Sequence, residues 1–371
     1  MHPYTYADLG VRPVINAAAT LTRLGGSRMP PPVIDAMRAG ADAFVDLVEL
    51  QCRVGERIAE LTGNEACYVS SGAAAGMAIC IAGCIAGNDP TAIGELPSMA
   101  EPRAEVIVHR AQRNAYDQAA RQTGAQMVEI GVDPTTQRAE LEAAFSPRTV
   151  CVLYFAGARF APGALPLDEV VAIAHECNVP VLVDAAAQIP PVSNLWHFTR
   201  DLSADVAIFS GGKGLRGPQS AGLVLGRRAL IDACVRNGPP HHSLGRPMKV
   251  GKEEMLGMLA AVEWSLQQDE PALLASYEAM VQGWIDGLAG LPGIRVERGY
   301  PSEAGQPHSR AIIHLDAASS LSRSALVAAL WDETPRIAVG EVDADAIALN
   351  PQTLEPGEDE LVLKALRRLL D

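Results

Sequence analysis

The chain has 371 residues, of which 48% are hydrophobic and 20% are charged, and its formal net charge at pH 7 is -14. This is the composition of a folded globular protein, and its length predicts more than one structural unit. Because no basic stretch offsets the acidic charge, we expect neither nucleic acid nor an anionic membrane surface among its partners.

The N-terminal part, residues 1–59, reads as an arm followed by a helix that begins at the prolines of positions 30–32. From residue 60 to 252, short apolar runs alternate with helical patterns. Strands are predicted at 66–69, 105–109, 127–130, 150–155, 181–184, 206–209 and 222–225, and helical segments at 73–86, 116–123, 167–177 and 203–205. Near-continuous apolar strands separated by helices indicate an α/β fold with a mostly parallel sheet covered on both faces.

The C-terminal part, residues 253–371, predicts a smaller α+β domain behind a long connecting helix that runs from 252 to about 288. Its strands are predicted at 294–298, 311–315, 336–339 and 346–349, and its helices at 323–330 and 358–370. The chain is therefore predicted to have three parts: an arm with a helix (1–59), a large ligand-binding domain (60–252), and the connecting helix with the small domain (253–371).

Seven cysteines are scattered through the chain without a Cys-x-x-Cys pair, and no cluster of metal-ligating residues stands out. We therefore expect reduced thiols and no metal site. The N-terminus lacks the pattern of a signal peptide, and the apolar stretch at 70–88 is too rich in small residues for a membrane span. Together these features predict a cytoplasmic protein.

Three predicted strands of the large domain end in residues that can carry chemistry, and ligands of such sheets bind at the carboxyl ends of the strands. The first strand runs into Ser70, Ser71, Gly72 and Ala73, where a helix of small residues begins. The N–H groups of a helix N-terminus, with nearby hydroxyls and a glycine, can hold a phosphate group. The same residues also suit a simple helix cap, so on their own they leave both interpretations open.

Asp184 and Lys213 follow two further strands. An aspartate at the end of an apolar strand is costly to bury unless it is paired, for example with a protonated pyridine nitrogen, although it could also cap the next helix. Lys213 is one of only four lysines, and it lies in a glycine-rich loop that starts at Ser210. It could be an ordinary surface lysine, or an amine that forms a Schiff base with a bound carbonyl group.

In this order, the three features resemble fold-type I pyridoxal-phosphate (PLP) enzymes of the aminotransferase class V kind. More narrowly, they resemble the group of selenocysteine synthase-like and D-glucosaminate-6-phosphate ammonia-lyase-like proteins. The resemblance spans nearly the whole chain and includes motifs at residues 12–17, 61–66, 184–188, 210–219, 245–253 and 349–351.

The resemblance implies a pyridoxal 5'-phosphate cofactor and assigns roles to the strand-end residues. Lys213 is similar to the lysine that forms the Schiff base and shuttles the proton at the substrate's Cα, and Asp184 to the partner of the pyridine nitrogen. The residues that resemble the family's phosphate-binding positions are Ser71, Gly72, Ala73 and Ser210. Gln188 is similar to a donor to the cofactor's phenolic oxygen. Gln112 stands at the ring-stacking position, where relatives often have histidine.

The remaining predicted site residues lie outside these strand ends. Arg246, a cofactor-binding candidate, belongs to a basic loop that either forms a solvated face or reaches into the active site of a neighbouring subunit. The second possibility follows from the resemblance, which implies a homodimer or larger homo-oligomer with shared active sites. Asn16 and Thr20 could line the substrate mouth. Arg336 could bind a substrate carboxylate, or it could be an ordinary surface arginine.

The function implied by the resemblance is that of a PLP-dependent lyase, which releases ammonia by α,β-elimination from a hydroxy amino acid or amino sugar acid through a Schiff base at Lys213. An aldolase, racemase or aminotransferase would use the same residues, so these alternatives stay open. A selenium transferase is disfavoured by the acidic charge, and a non-catalytic binding scaffold by the presence of both Lys213 and Asp184. The acid for the leaving group could be His109, His242 or Lys249.

Overall fold

The computed structural model describes residues 4–99, 104–132 and 135–371. The strands of these residues are β1 (Val14–Ala17), β2 (Ala66–Ser70), β3 (Glu105–His109), β4 (Gln126–Ile130), β5 (Thr149–Phe155), β6 (Val181–Asp184), β7 (Val206–Ser210), β8 (Gly222–Gly226), β9 (Ile294–Gly299), β10 (Arg310–Leu315), β11 (Arg336–Glu341) and β12 (Ala346–Leu349). The α-helices are α1 (Pro31–Ala41), α2 (Leu47–Thr62), α3 (Ala73–Ala86), α4 (Pro90–Glu95), α5 (Gln118–Arg121), α6 (Arg138–Ala144), α7 (Leu167–Glu176), α8 (Asn194–Trp196), α9 (Arg228–Asn237), α10 (Lys252–Leu266), α11 (Glu270–Leu288), α12 (Arg323–Asp332) and α13 (Glu358–Leu370).

Contacts within the chain divide it into two compact units, Met29–Gln268 and a second unit that joins the N-terminal arm up to Arg28 to Asp269–Asp371. These borders differ from the predicted domains, because α1 and α2 pack against α10 inside the larger unit. The prediction of one helix from 252 to 288 is wrong, since α10 and α11 are separate helices. The Asp269 carboxylate accepts a hydrogen bond from the Ala272 N–H at 3.0 Å and thereby starts a new helix. The predicted arm also includes residues 1–3, which lie outside the described residues.

The larger unit is built on a seven-stranded sheet with the strand order β2-β8-β7-β6-β5-β3-β4. The neighbouring strands from β7 to β4 run parallel, whereas β8 is antiparallel to both β2 and β7. One apolar cluster packs the sheet against α1, α2, α7 and α10, and a second packs the opposite face against α3, α5 and α9. The predicted α/β fold with a mostly parallel sheet is confirmed.

The second unit contains a five-stranded sheet with the order β1-β11-β12-β10-β9. Its apolar core includes residues of α11, α12 and α13, with Trp284 only 1% exposed. The arm strand β1 pairs in parallel with β11, beginning with Val14 opposite Arg336. This pairing was not predicted, because two strands so distant in the sequence leave no local pattern. None of the described helices is long and apolar enough to cross a membrane.

Candidate active site

The carboxyl edge of the large sheet gathers the strand ends predicted to carry chemistry. β8 begins at this edge with Gly222, which lies opposite Ser70 of β2 and also opposite Ser210 of β7. Asp184 ends β6, the neighbour of β7, and Lys213 lies in the loop that follows β7. The sheet therefore brings the predicted phosphate loop, carboxylate and lysine to one edge, where open α/β sheets bind their ligands.

The loop between β2 and α3 forms a hollow suited to a phosphate group. Gly72 has a φ of 91°, which favours glycine, and a Cβ atom there would meet no atom within 4 Å. The Ser70 hydroxyl donates a hydrogen bond to the Gly72 carbonyl at 2.9 Å. On the other side of the loop, a Cβ atom on Gly222 would lie 2.7 Å from the Gly72 carbonyl carbon and 2.9 Å from the Ala73 nitrogen. The missing side chain at Gly222 thus lets the loop lie against β8, and the open side at Gly72 leaves room for an anion at the N-terminus of α3.

Asp184 and Lys213 interact through their charges at this edge. Burial raises the pKa of Asp184, while a hydrogen bond from the Ala186 N–H at 2.9 Å and the charge of Lys213 act against that shift. Burial lowers the pKa of Lys213, and the Asp184 carboxylate acts against that shift in turn. The charge of each group therefore offsets only part of the pKa shift that burial causes in the other. An additional cation next to Asp184, such as a protonated pyridine nitrogen, would stabilise its charged form.

The loop that carries Lys213 is fixed by close backbone packing. The Gly211 N–H donates to the Ala221 carbonyl at 2.8 Å. A Cβ atom on Gly214 would lie 2.0 Å from the Ile189 carbonyl oxygen, so that only glycine fits at this position. The glycines flanking Lys213 therefore hold the origin of its side chain in place.

Gln112, in the short turn after β3, takes part in the sheet rather than facing a ligand. It is 0% exposed, its Nε2 donates to the Phe155 carbonyl at 3.2 Å, and its Oε1 accepts from the Phe155 N–H at 3.1 Å. The carboxamide thus replaces a peptide group where the β3–β5 ladder ends, and it has no surface left for a cofactor ring. These contacts do not favour the stacking role of Gln112, which stays a prediction. Gln188 donates to the Ala156 carbonyl at 3.3 Å, and its contact with a phenolic oxygen stays a prediction.

His109 is buried at the end of β3, on the face of the sheet opposite to the Asp184 side chain. Its ring packs edge-on against Tyr154 with the centroids 5.8 Å apart, and neither ring nitrogen has a hydrogen-bond partner among the described residues. Burial lowers the pKa of His109 to about 4. A histidine that stays neutral and points away from Asp184 does not suit the role of acid for a leaving group.

The other predicted site residues lie in the loop after α9 and in the second unit. Arg246 lies in the loop between α9 and α10, and its guanidinium makes no hydrogen bond or ion pair with any described residue. The predicted substrate-binding residues belong to the second unit: Asn16, Thr20 and Arg336. The Arg336 guanidinium lies over the ring of Trp331 at 4.8 Å. The roles of these residues toward a cofactor or substrate stay predictions.

Two parts of this edge were missed in the sequence. Gly222 gave no signal, because a glycine at the start of a strand is common and only the strand order places it under the phosphate loop. The loop after β5, residues 156–163, was likewise missed. It packs the Phe160 ring on the Phe155 ring with 5.7 Å between centroids. Only the register of β5 with β6 reveals that Phe155 lies opposite Asp184.

The residues of this edge fit pyridoxal 5'-phosphate. The hollow at Gly72 suits its phosphate group, the Asp184 carboxylate its pyridine nitrogen, and the Lys213 amine its aldehyde carbon. Burial still disfavours the charged form of Asp184 in the presence of Lys213, and the protonated ring nitrogen of this ligand would stabilise that charged form.

Comparison with known proteins agrees with this fit. A family model described as "Aminotransferase class-V" matches residues 91–249. A 5'-C-glycyluridine monooxygenase-decarboxylase from a Streptomyces species is 33% identical, and the alignment covers 100% of this chain and 92% of that protein. A D-glucosaminate-6-phosphate ammonia lyase from Salmonella typhimurium is 30% identical, with coverage of 100% and 99%. A solved structure of a D-glucosaminate-6-phosphate ammonia-lyase has a TM-score of 0.85 at 29% identity and covers 100% of this chain and 98% of that chain.

Proposed function

The chain belongs to the aminotransferase class-V family of pyridoxal-phosphate enzymes, and from this premise we propose that it is a lyase that releases ammonia from a hydroxy amino acid or amino sugar acid by α,β-elimination. The observation that carries the proposal is the placement of Asp184, Lys213 and the hollow at Gly72 on one edge of the sheet, where burial also disfavours the charges of Asp184 and Lys213. A non-catalytic binding scaffold does not need two groups whose charged forms burial destabilises, whereas catalysis uses groups with shifted pKa values.

The residues at the carboxyl edge of the sheet have different roles in this reaction. When bound, pyridoxal phosphate supplies a sink for the electron pair left at the substrate's α-carbon. The hollow at Gly72 would hold the phosphate group, and Asp184 would orient the ring and keep the ring nitrogen protonated. Burial favours the neutral amine of Lys213, which can therefore act as a nucleophile and then as the base that removes the α-proton.

The elimination itself balances without an oxidant or a metal. The base takes the α-proton, and the β-hydroxyl group leaves as water after it receives a proton. Because His109 points away from this site, we assign that proton donation to Lys213, which has just taken up the α-proton. The resulting enamine is hydrolysed to a 2-oxo acid and ammonia.

The two full-length relatives bear names for different reactions, an ammonia lyase and a monooxygenase-decarboxylase. The structural likeness with a TM-score of 0.85 supports the lyase. Aldol cleavage, racemisation and transamination need the same lysine and the same electron sink, so product analysis must separate them.

The test is to incubate the PLP-loaded protein with D- and L-serine, D- and L-threonine, D-glucosaminate and D-glucosaminate 6-phosphate. A lyase gives ammonia and a 2-oxo acid in equal amounts from at least one of these, and Lys213→Ala serves as the blank. Oxygen uptake with release of carbon dioxide would move the assignment to a monooxygenase-decarboxylase. An aldehyde product would indicate an aldolase, and loss of optical activity without ammonia a racemase.

We also propose a homodimer or larger homo-oligomer with shared active sites, and a cytoplasmic location. The first is supported by large apolar side chains of the larger unit that are exposed on a single chain: Phe44, Val45, Leu47 and Val48. The second is supported by the free thiols of all the cysteines, which suit a reducing compartment. Light scattering after size-exclusion chromatography would contradict the first proposal if it gave a monomer mass, and cell fractionation tests the second.

A further inference from the structure

The loop that follows β5 presents a guanidinium at the catalytic edge for which the mechanism above has no use. Phe155 ends β5 directly opposite Asp184 of β6. Residues in register on neighbouring strands place their side chains on the same face, so the Phe155 ring and the Asp184 carboxylate lie side by side. A side chain that packs on Phe155 is therefore separated from Asp184 by that one ring.

The loop is anchored at both ends, so its position does not depend on a ligand. At the start, the Ala156 N–H donates to the Asp184 carbonyl at 2.9 Å. Gly157, with a φ of 125°, then turns the chain back toward the sheet. At the other end, the Thr136 hydroxyl and the Thr136 N–H both donate to the Gly163 carbonyl at 2.9 Å.

The turn packs Phe160 on Phe155, and Arg159 on Phe160. The Phe160 ring packs on the Phe155 ring at 5.7 Å, and the guanidinium carbon of Arg159 lies 5.7 Å from the Phe160 centroid. Arg159 is exposed and makes no hydrogen bond or ion pair with any described residue. The aromatic ring thus supports the guanidinium through a cation–π contact and leaves its N–H donors available.

We propose that Arg159 is a specificity residue that binds a phosphate group on the end of the substrate remote from the amino group. This inference rests on the proposed function, because it needs the amino end of the substrate to lie at Lys213 and Asp184. The planar guanidinium matches the oxygens of a phosphate group, and a free cation at the rim of an acidic protein attracts a substrate with an anionic end. A substrate with a neutral end makes no such contact, so the residue separates phosphorylated from unphosphorylated substrates.

The test measures binding rather than turnover. The PLP-loaded protein, whose phosphate hollow is filled by the cofactor, is titrated by calorimetry with D-gluconate and with 6-phosphogluconate, which lack the amino group and cannot react. We expect wild type to bind 6-phosphogluconate about tenfold more tightly than D-gluconate, as one exposed charge-assisted contact would allow. Arg159→Gln should remove this preference, and Arg159→Lys should keep part of it.

The matched control is Arg200→Gln. Arg200 also stacks on an aromatic ring, that of Trp196 at 5.5 Å, but it precedes β7 and so lies toward the amino edge of the sheet. This variant should keep the wild-type preference. Equal affinity of wild type for the two ligands, or an unchanged preference in Arg159→Gln, would overturn the proposal. A protein that shows the preference but releases no ammonia would instead contradict the lyase assignment alone.

Discussion

The carboxylates at the two edges of the large sheet have opposite surroundings. At the amino edge, Asp205 is 2% exposed and both of its oxygens are bonded, one to the Val181 N–H at 2.7 Å and the His175 ring at 2.9 Å, the other to Arg227 at 2.9 Å. At the carboxyl edge, Asp184 accepts one backbone hydrogen bond and interacts with a lysine whose own charge is disfavoured by burial.

Within this one sheet, we expect the carboxylates at the amino edge to serve stability and the carboxylate at the carboxyl edge to serve function. A buried carboxylate with a complete set of donors holds the fold together, and loss of one partner leaves an uncompensated charge. A partly buried carboxylate with an incomplete set of donors, such as Asp184, can still bind a ligand. Glu105, at the start of β3, resembles Asp205, since Ser146 and Arg148 bind its two oxygens. Mutations at the carboxyl edge should therefore change catalysis, and mutations at the amino edge should change stability.

The largest effect is expected for Lys213→Ala. Turnover should fall by about a thousandfold or more, because both the nucleophile and the proton carrier are lost. The melting temperature should change little, since the loss of an amine whose charge burial disfavours offsets the loss of its charge next to Asp184. Ammonia release at saturating substrate measures the first, and borohydride reduction followed by mass spectrometry should find the cofactor's mass on wild type only. Cofactor attached to the variant at another lysine would contradict the assignment.

Asp184→Asn should lower turnover by about a hundredfold, since the charge that supports a protonated ring nitrogen is lost. The substituted side chain has the same shape and can still accept the Ala186 N–H, so the free energy of unfolding should change little. Steady-state kinetics and urea unfolding measure the two quantities on one preparation. A stable variant with wild-type turnover would remove Asp184 from the mechanism.

Asp205→Asn makes the matched change at the amino edge, with the opposite result. It should lower the free energy of unfolding by about 2 kcal/mol, because the hydrogen bonds that the buried Asp205 carboxylate accepts from Val181, His175 and the half-exposed Arg227 lose their charge. Turnover per folded molecule should equal that of wild type. If turnover fell while stability was unchanged, the division between the two edges would fail.

The smallest expected effect is a pH dependence at Glu105. The Ser146 hydroxyl and Arg148 hold the pKa of Glu105 below its ordinary value of 4.5. A carboxylate whose pKa is lower in the folded state stabilises the protein above the unfolded pKa and loses that effect as the pH falls through the folded value. The difference in melting temperature between wild type and Glu105→Gln should therefore be present at about pH 7 and shrink below about pH 4.5. A difference that is constant over this range would show that the charge of Glu105 contributes nothing.

The sequence by itself determined which residues stand at the strand ends. The apolar runs before Asp184 and Lys213 are local patterns, and so is the Ser-Gly turn before α3, because a strand and the turn after it are set by neighbouring residues. The order of these features was enough for the family resemblance, and with it the fold class and the cofactor.

Only the tertiary structure decided what surrounds those residues. Strand order placed Gly222 beneath the phosphate loop, and register placed Phe155 beside Asp184. The end of the β3–β5 ladder gave Gln112 a structural role, and the alternation of side chains turned His109 to the opposite face. Each of these depends on pairing between segments far apart in the chain. The energy of such pairing depends on both segments together, so neither segment predicts it alone.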